Sequence, residues 1–235
     1  MRSDQGAYDV AFVLGGGGIL GAHEVGMLRA LAESSIQPDV ILGTSIGAVN
    51  GAMFAGDPTV GGVMRLGELW RDSNVAGMSA GALLRRVTTL ARTGTHLQPL
   101  DEVRRRLSQA LPVDLVEELA VPFQCVAASI ERAAEHWFDS GVLTDVVLAS
   151  CAVPGILPPV AIGDEHFIDG GIVNSIPVAR AVALASGRPI TEEHIFQRSR
   201  VLYMTLEDDL RFAGRSTGDA PSASPLAVGG WVGGV

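Results

Sequence analysis

The hydrophobic pattern of the first 56 residues alternates between a strand type and a helix type, and each type occurs twice. Two short runs rich in β-branched residues, 8–14 and 37–45, end in glycine or polar residues and predict buried strands. The segments that follow them, 19–34 and 45–56, carry apolar or small residues at helical spacing and predict helices. Strand, helix, strand and helix in this order begin a parallel sheet with right-handed crossovers.

The rest of the chain predicts further elements of the same α/β class. Residues 59–119 show helical spacing without a strong strand, so we expect a helical, lid-like insertion there. The later pattern predicts strands over 121–130 and 199–206, helices over 142–152 and 177–187, a turn or short strand over 135–141, and loop and strand over 154–171. We therefore predict one domain over 8–212, an N-terminal tail over 1–7, and a mobile tail rich in Gly, Ser, Ala and Pro over 213–235.

The composition narrows the class of protein. A chain of 235 residues is long enough for one large α/β domain. Hydrophobic residues make up 47% of it, but the uncharged stretches 40–56 and 146–163 are interrupted by glycine, polar residues or proline and do not predict membrane spans.

The N-terminus lacks the apolar segment of a signal peptide, and Cys125 and Cys151 lie in apolar surroundings, as buried thiols do. We expect a cytoplasmic protein, with peripheral contact to a membrane as an option.

Charge and histidine content argue against two kinds of site. The formal net charge of −9 disfavours nucleic acid as a general partner. The five histidines are scattered, and no pair has the spacing typical of metal ligands. We therefore expect no metal site and no cofactor.

The junction between the second strand and the second helix carries a candidate nucleophile. Gly43, Ser45 and Gly47 match the pattern G-x-S-x-G in the strand-to-helix context that gives this pattern weight. A serine on so sharp a turn is held in a strained backbone conformation with its hydroxyl exposed, and only very small residues fit around it. The helix that follows points its positive N-terminal end at the serine. A tight turn with a serine N-cap has the same residues, so the motif alone leaves both interpretations open.

A loop of four consecutive glycines, 15–18, ends the first strand. Because the first two strands are adjacent in an ordinary crossover, this loop reaches the same sheet edge as Ser45. Its backbone N–H groups can then face a substrate oxygen with no Cβ in the way. We interpret the following glycines as an oxyanion loop: Gly16, Gly17, Gly18 and Gly21.

Two other interpretations of the glycine loop compete with this one. The glycine spacing fits a dinucleotide fingerprint, but the acidic residue needed at the end of the second strand is missing. An α/β-hydrolase uses the order serine, acid, histidine, which Ser45, Asp169 and His194 provide. Ser45 follows Gly17 by only 28 residues, however, which is too short for the strands that such a fold builds before its nucleophile.

A third motif completes an ordered set. Asp169 is followed by Gly170 and Gly171, which by itself is a common turn sequence. The set GGGGILG, GTSIGAVNG, ASCAVPGILPPV and DGGIVNSIP, over about residues 10–205, resembles the patatin-like phospholipase family. The resemblance implies a three-layer α/β/α domain with a mainly parallel central sheet.

The resemblance also implies roles for single residues. Ser45 would be the nucleophile and Asp169 the base of a Ser–Asp dyad that uses no histidine. Gly43 and Gly47 would form the nucleophile elbow, and the glycine loop would bind the oxyanion. The other implied residues would support the Asp169 loop or the wall of the site: Gly170, Gly171, Asn174 and Pro154.

The function that the resemblance implies is hydrolysis of lipid or phospholipid acyl esters through an acyl-serine intermediate. Transfer of the acyl group to another alcohol and a lipid-binding module without catalysis are the alternatives. Members of the family often carry a basic residue just before the last glycine of the loop, where this chain has Leu20. That difference weakens the case for phospholipid more than the case for an ester substrate.

Overall fold

Within the residues that the structure describes, seven strands form one mixed sheet. The computed structural model describes residues 10–72, 99–186 and 200–204. The strands are β1 (Val10–Leu14), β2 (Val40–Thr44), β3 (Phe123–Ser129), β4 (Ala134–Phe138), β5 (Val160–Ile162), β6 (Glu165–Asp169) and β7 (Arg200–Met204). Their order is β5-β6-β3-β2-β1-β7, and β4 pairs with β3 outside this path. β1, β2, β3 and β7 are parallel, whereas β4 and β6 run antiparallel to β3.

The helices follow the strands in the alternation that the sequence predicts. They are α1 (Ala22–Glu33), α2 (Ile46–Gly56), α3 (Val60–Asp72), α4 (Leu100–Ala110), α5 (Leu143–Ser150) and α6 (Val178–Ser186). Where one helix was predicted over 19–34, a 3₁₀ turn, Gly18–Gly21, precedes α1. The strand that was predicted as an option near 135–141 is β4, and the loop-and-strand segment contains the hairpin of β5 and β6.

Side chains of the central strands enter two hydrophobic clusters on opposite faces of the sheet. Phe12 and Leu14 belong to the larger cluster, which includes residues of α1, α2, α3 and α5. Ala11 and Val13 belong to a smaller cluster with Ala181 of α6. Successive residues of a strand point to opposite faces, so helices cover both sides of the sheet. The predicted three-layer α/β/α fold with a mainly parallel sheet is confirmed.

Several predicted segments lie outside the described residues. They include the two predicted tails, 1–7 and 213–235, and the 73–98 part of the predicted insertion. The described parts of that insertion contain α3 and α4. Within the ranges that the structure describes, no helix is long and apolar enough to cross a membrane.

Candidate active site

Two strands meet end to end on β3 and bring Ser45 to Asp169. Thr44, the last residue of β2, pairs with Val126 of β3. Asp169, the last residue of β6, pairs with the next residue of β3, Ala127. β2 is parallel and β6 antiparallel to β3, so their carboxyl ends face each other. Ser45, which directly follows Thr44, therefore lies beside a residue 124 positions later in the chain.

The backbone of Ser45 is strained in the way the motif predicts. Its φ is +54° and its ψ is −121°, in a region that residues with a side chain seldom adopt. The two flanking glycines leave no room for a side chain. A Cβ on Gly43 would lie 2.5 Å from Ala48 Cα, and one on Gly47 would lie 2.3 Å from the Leu14 carbonyl oxygen. The turn is possible only because both positions are glycine.

Ser45 and Asp169 form a short hydrogen bond. Ser45 Oγ donates to Asp169 Oδ2 at 2.6 Å. The other carboxylate oxygen, Oδ1, accepts from the backbone N–H of Gly171 at 2.7 Å. Asp169 is only 4% exposed, and this burial raises its pKa, against the lowering effect of the two hydrogen bonds. A raised pKa makes the carboxylate a better base for a hydroxyl proton than a free aspartate is.

The glycine loop lies against Ser45, but its four predicted members have different roles in the structure. Gly16 approaches Ser45 so closely that a Cβ on it would lie 3.5 Å from Ser45 Cβ. Its N–H, however, already donates to the Ser175 carbonyl at 2.9 Å. Gly21 is buried against Ile46, where a Cβ would lie 2.7 Å from a side-chain carbon.

Gly17 and Gly18 are the exposed members of the loop. Their backbone N–H groups make no hydrogen bond to any other residue within the described ranges. Gly18 has a φ of +58°, which favours glycine. These two amides are thus available to an approaching ligand. Gly16 and Gly21 instead hold the loop against its neighbours, through a hydrogen bond and through close packing.

This chain is similar to a known protein family over most of its length. A family model described as patatin-like phospholipase matches residues 12–182. The chain belongs to the patatin-like phospholipase family. Among its curated relatives are "Lysophospholipase nte1" of Aspergillus terreus, 31% identical over 185 residues, and "Patatin-like phospholipase domain-containing protein 7" of Rattus norvegicus, 33% identical over 177 residues.

These relatives are much longer than this patatin-like chain. The two alignments cover 75% and 74% of this chain but only 11% and 13% of the relatives. Among solved structures, VipD from Legionella pneumophila has a similar fold, with a TM-score of 0.51 over 88% of this chain and 52% of that chain. Its sequence is 12% identical, so the likeness concerns the fold alone.

Ser150 and Cys151 contact the candidate nucleophile. The resemblance placed their segment, ASCAVPGILPPV, near the site, but neither residue was given a role from the sequence. Ser150 Oγ accepts from the Ser45 N–H at 2.9 Å and donates to the Val126 carbonyl at 2.7 Å. Cys151 Sγ donates to the Ser45 carbonyl at 3.1 Å. Burial raises the pKa of the Cys151 thiol well above its usual value, so the thiol stays protonated and acts as a donor. These contacts hold both of the peptide groups that flank the strained Ser45 Cα.

The residues that were predicted to support the site lie in different places in the structure. Gly170 lies against β3, where a Cβ would be 2.1 Å from the Val126 carbonyl oxygen. The Asn174 carbonyl accepts from Thr44 Oγ1 at 2.9 Å, and its side chain donates to Glu135. Pro154 is exposed in the loop after α5, and the same loop supplies the Ala152 carbonyl that accepts from the Asp169 N–H.

His166 and His194 are the histidines that bear on the choice of the base. His166, the histidine nearest to Asp169 in sequence, is exposed, and its ring contacts Glu131 at 2.8 Å. His194, the base of the α/β-hydrolase alternative, lies outside the described residues. In the part of the chain that the structure describes, no group of three or more His, Cys, Asp or Glu is arranged to hold a metal ion.

Proposed function

We propose that this chain is a serine acyl-ester hydrolase that cleaves lipid acyl esters through Ser45 and Asp169. The observation that carries the proposal is the 2.6 Å hydrogen bond from a strained serine hydroxyl to a buried carboxylate. Membership of the patatin-like phospholipase family supports ester chemistry on lipids, as do the relatives named as lysophospholipases.

The proposed reaction begins with attack of Ser45 Oγ on the ester carbonyl carbon. The Oγ proton passes to Asp169 Oδ2, and the carbonyl electron pair moves onto its oxygen. When the intermediate collapses, the bond to the alcohol oxygen breaks, and that oxygen takes the proton from Asp169. Water then attacks the acyl-serine, its proton passes through Asp169 to Ser45 Oγ, and the carboxylic acid is released.

In this proposal the glycine loop stabilises the oxyanion. The free amides of Gly17 and Gly18 are the donors, and the N-terminus of α2 adds its positive end beside Ser45. Removing one such donor typically slows acyl transfer about 100- to 1000-fold. We therefore assign only these two of the four predicted glycines to oxyanion binding.

Exposed apolar side chains around the site support a lipid substrate. Each of the three loops that carry them contacts Ser45, Thr44 or Asp169: residues 15–21, 151–159 and 170–177. These loops contain no Asp, Glu, Lys or Arg, although 18% of the chain is charged. We call the following exposed residues the apolar rim: Ile19, Leu20, Val153, Ile156, Ile172, Val173 and Ile176.

The apolar rim favours peripheral contact with a lipid surface that carries no net charge. Burial of apolar area drives such contact without any ion pairing. The rim offers no cation to an anionic headgroup, and the net charge of −9 adds a general repulsion from anionic membranes. Leu20 is part of this rim and is 41% exposed.

Labelling with a fluorophosphonate tests the proposed nucleophile. The serine oxygen displaces fluoride from phosphorus, so the adduct marks the reactive residue by mass spectrometry. Wild type is expected to be labelled at Ser45, and Ser45→Ala is expected to lose the label. Ser108→Ala is the matched control, because the Ser108 hydroxyl only caps a carbonyl on exposed α4. Equal labelling of wild type and Ser45→Ala would reject Ser45 as the nucleophile.

A panel of esters then separates the alternatives. Release of free fatty acid from a zwitterionic or neutral lipid ester supports hydrolysis. New esters formed with an added alcohol acceptor would indicate acyl transfer. Folded protein that binds lipid vesicles but neither labels nor cleaves any ester would indicate a binding module.

A further inference from the structure

The first turn of α1 contains a buried carboxyl that the proposed reaction does not use. Glu24 is 6% exposed and lies next to the glycine loop in sequence. Burial of a carboxyl is costly unless hydrogen bonds compensate for the lost water. Its partners therefore indicate what this side chain does in the fold.

Glu24 is linked to the end of the glycine loop through Asn50. Its Oε2 accepts from Asn50 Nδ2 at 2.7 Å, and the same Asn50 nitrogen donates to the carbonyl of Gly21 at 2.9 Å. One carboxyl and one amide thus hold the loop at its end. The backbone of Gly15, at the beginning of the loop, lies near enough to the carboxyl to lower its pKa.

The orientation of the Asn50 amide is fixed by its other neighbours. Trp70 Nε1, which can only donate, bonds to Asn50 Oδ1 at 2.9 Å. The Gly21 carbonyl can only accept, so Nδ2 must face it. Glu24 consequently faces the Nδ2 donor of Asn50 and must present an acceptor to it. Both oxygens of a carboxylate are acceptors, whereas a glutamine side chain presents one acceptor and one donor group.

We propose that Glu24 is a positioning residue that, together with Asn50, clamps the glycine loop at Gly21 and so aims the loop amides at the oxyanion. The inference rests on the proposed hydrolase function. Glycine gives the loop conformational freedom, and oxyanion donors act only when they are held in place before the reaction. Asn50 lies on α2, five residues after Ser45, so the clamp ties the loop to the helix that carries the nucleophile.

The ionisation of Glu24 provides a readout that a purely structural residue would lack. Burial raises the pKa of Glu24 to about 7, against the lowering effect of its hydrogen bonds with Asn50 and Gly15. Besides Glu24 itself, the charged or titratable residues of α1 and of residues 60–71 in the adjacent α3 are His23, Arg29, Glu33, Arg65, Glu68 and Arg71, and α2 has none. In the described part of the chain, none of them forms a hydrogen bond or ion pair with Glu24.

The test compares fluorophosphonate labelling rates and short-ester kinetics of Glu24→Gln, Glu33→Gln and wild type. Glu33→Gln removes a carboxylate from the exposed side of the same helix and is the matched control. Glu24→Gln is expected to lower the labelling rate and kcat about 10-fold with little change in KM, since the donors matter most in the transition state. The wild-type labelling rate is also expected to fall as the pH drops through about 7, and Glu24→Gln is expected to lack this step.

The outcomes separate this inference from the proposed function. If wild type is not labelled at Ser45, the hydrolase proposal fails and the clamp fails with it. If Ser45 is labelled and Glu24→Gln reacts at the wild-type rate with the wild-type pH profile, only the clamp is rejected. If Glu24→Gln does not fold, Trp70→Phe is the second test of the clamp. It keeps the Glu24 carboxyl but removes the indole N–H that donates to Asn50 Oδ1. An unchanged labelling rate in Trp70→Phe would then overturn the clamp, and a reduced rate with unchanged KM would support it.

Discussion

Thr44 and Asp169 pair with consecutive residues of β3, although they belong to strands that run in opposite directions. This arrangement places the last residue of β6 next to the first residue after β2, which is Ser45. A displacement of β6 by one residue along β3 would turn the Asp169 side chain to the other face of the sheet. The register of β6 on β3 therefore decides whether Ser45 has a carboxylate partner.

Ser150→Ala is expected to slow labelling of Ser45 about 10-fold or more. The substitution leaves the Ser45 N–H without its acceptor and removes one support of the strained backbone. The measurement is the second-order rate of fluorophosphonate labelling, with Ser108→Ala as the control on an exposed helix. A Ser150→Ala protein that labels as fast as wild type would mean that the turn keeps its shape without this hydroxyl.

Gly47→Ala and Gly26→Ala are expected to change stability in opposite directions. An added Cβ at Gly47 would lie 2.3 Å from backbone oxygen, so α2 or the end of β1 must move, at a cost of a few kcal/mol in the free energy of unfolding. Gly26 is exposed within α1 and has open space around its Cβ position, so alanine should add up to about 1 kcal/mol. Denaturant titrations measure both changes. Equal stability of the two variants would contradict the close approach at Gly47.

The activity of the protein is expected to fall in acid with a midpoint above the ordinary aspartate pKa of about 3.9. Only ionised Asp169 can accept the Ser45 proton, and burial raises its pKa. The rate should therefore be lost as the pH falls through this raised value. Glu24→Gln is the appropriate background for the pH profile, since residue 24 no longer titrates in it. Asp169→Asn should show no turnover at any pH, and retained turnover would point to a different base.

Stability is expected to depend on pH through Glu24. The pKa of Glu24 is 4.5 in an ordinary setting and about 7 in the fold, so between these values the folded protein binds a proton that the unfolded chain has lost. The free energy of unfolding must then fall as the pH rises from 4.5 through 7. From pH 5 to pH 8, wild type should lose about 2 to 3 kcal/mol more than Glu24→Gln. Glu33→Gln should follow wild type, and parallel curves for all three proteins would contradict a buried, titrating Glu24.

The apolar rim is expected to bind lipid without regard to charge. Ile19→Ser combined with Ile172→Ser should weaken binding to phosphatidylcholine vesicles about 10-fold, because two exposed isoleucines no longer enter the lipid. Ile36→Ser is the control, since Ile36 is also an exposed isoleucine but precedes β2 at the other end of the sheet. Vesicle sedimentation should show no gain from anionic lipid and no loss with added salt. Binding that requires anionic lipid would contradict this role of the rim.

Much of the fold could be predicted because its signals are local. Strand and helix alternation over the first 56 residues follows from apolar spacing, and the structure has β1, α1, β2 and α2 in that order. The strain at Ser45 was also predictable, because small residues on both sides of a serine at a strand-to-helix turn indicate close backbone approach. The end of one predicted helix was less accurate, since the glycines before Ala22 form a 3₁₀ turn.

The sequence by itself determined the three-layer α/β class and the candidate residues Ser45 and Asp169, through periodicity and through motifs in a family order. Only the tertiary structure decided that Ser45 Oγ meets Asp169 at 2.6 Å, that Ser150 accepts from the Ser45 N–H, and that Asn50 links Glu24 to Gly21 at the end of the glycine loop. The physical reason is the distance along the chain over which each kind of signal acts. Periodicity and turn chemistry act over a few residues, whereas these contacts join residues up to 124 positions apart and depend on strand register and helix packing.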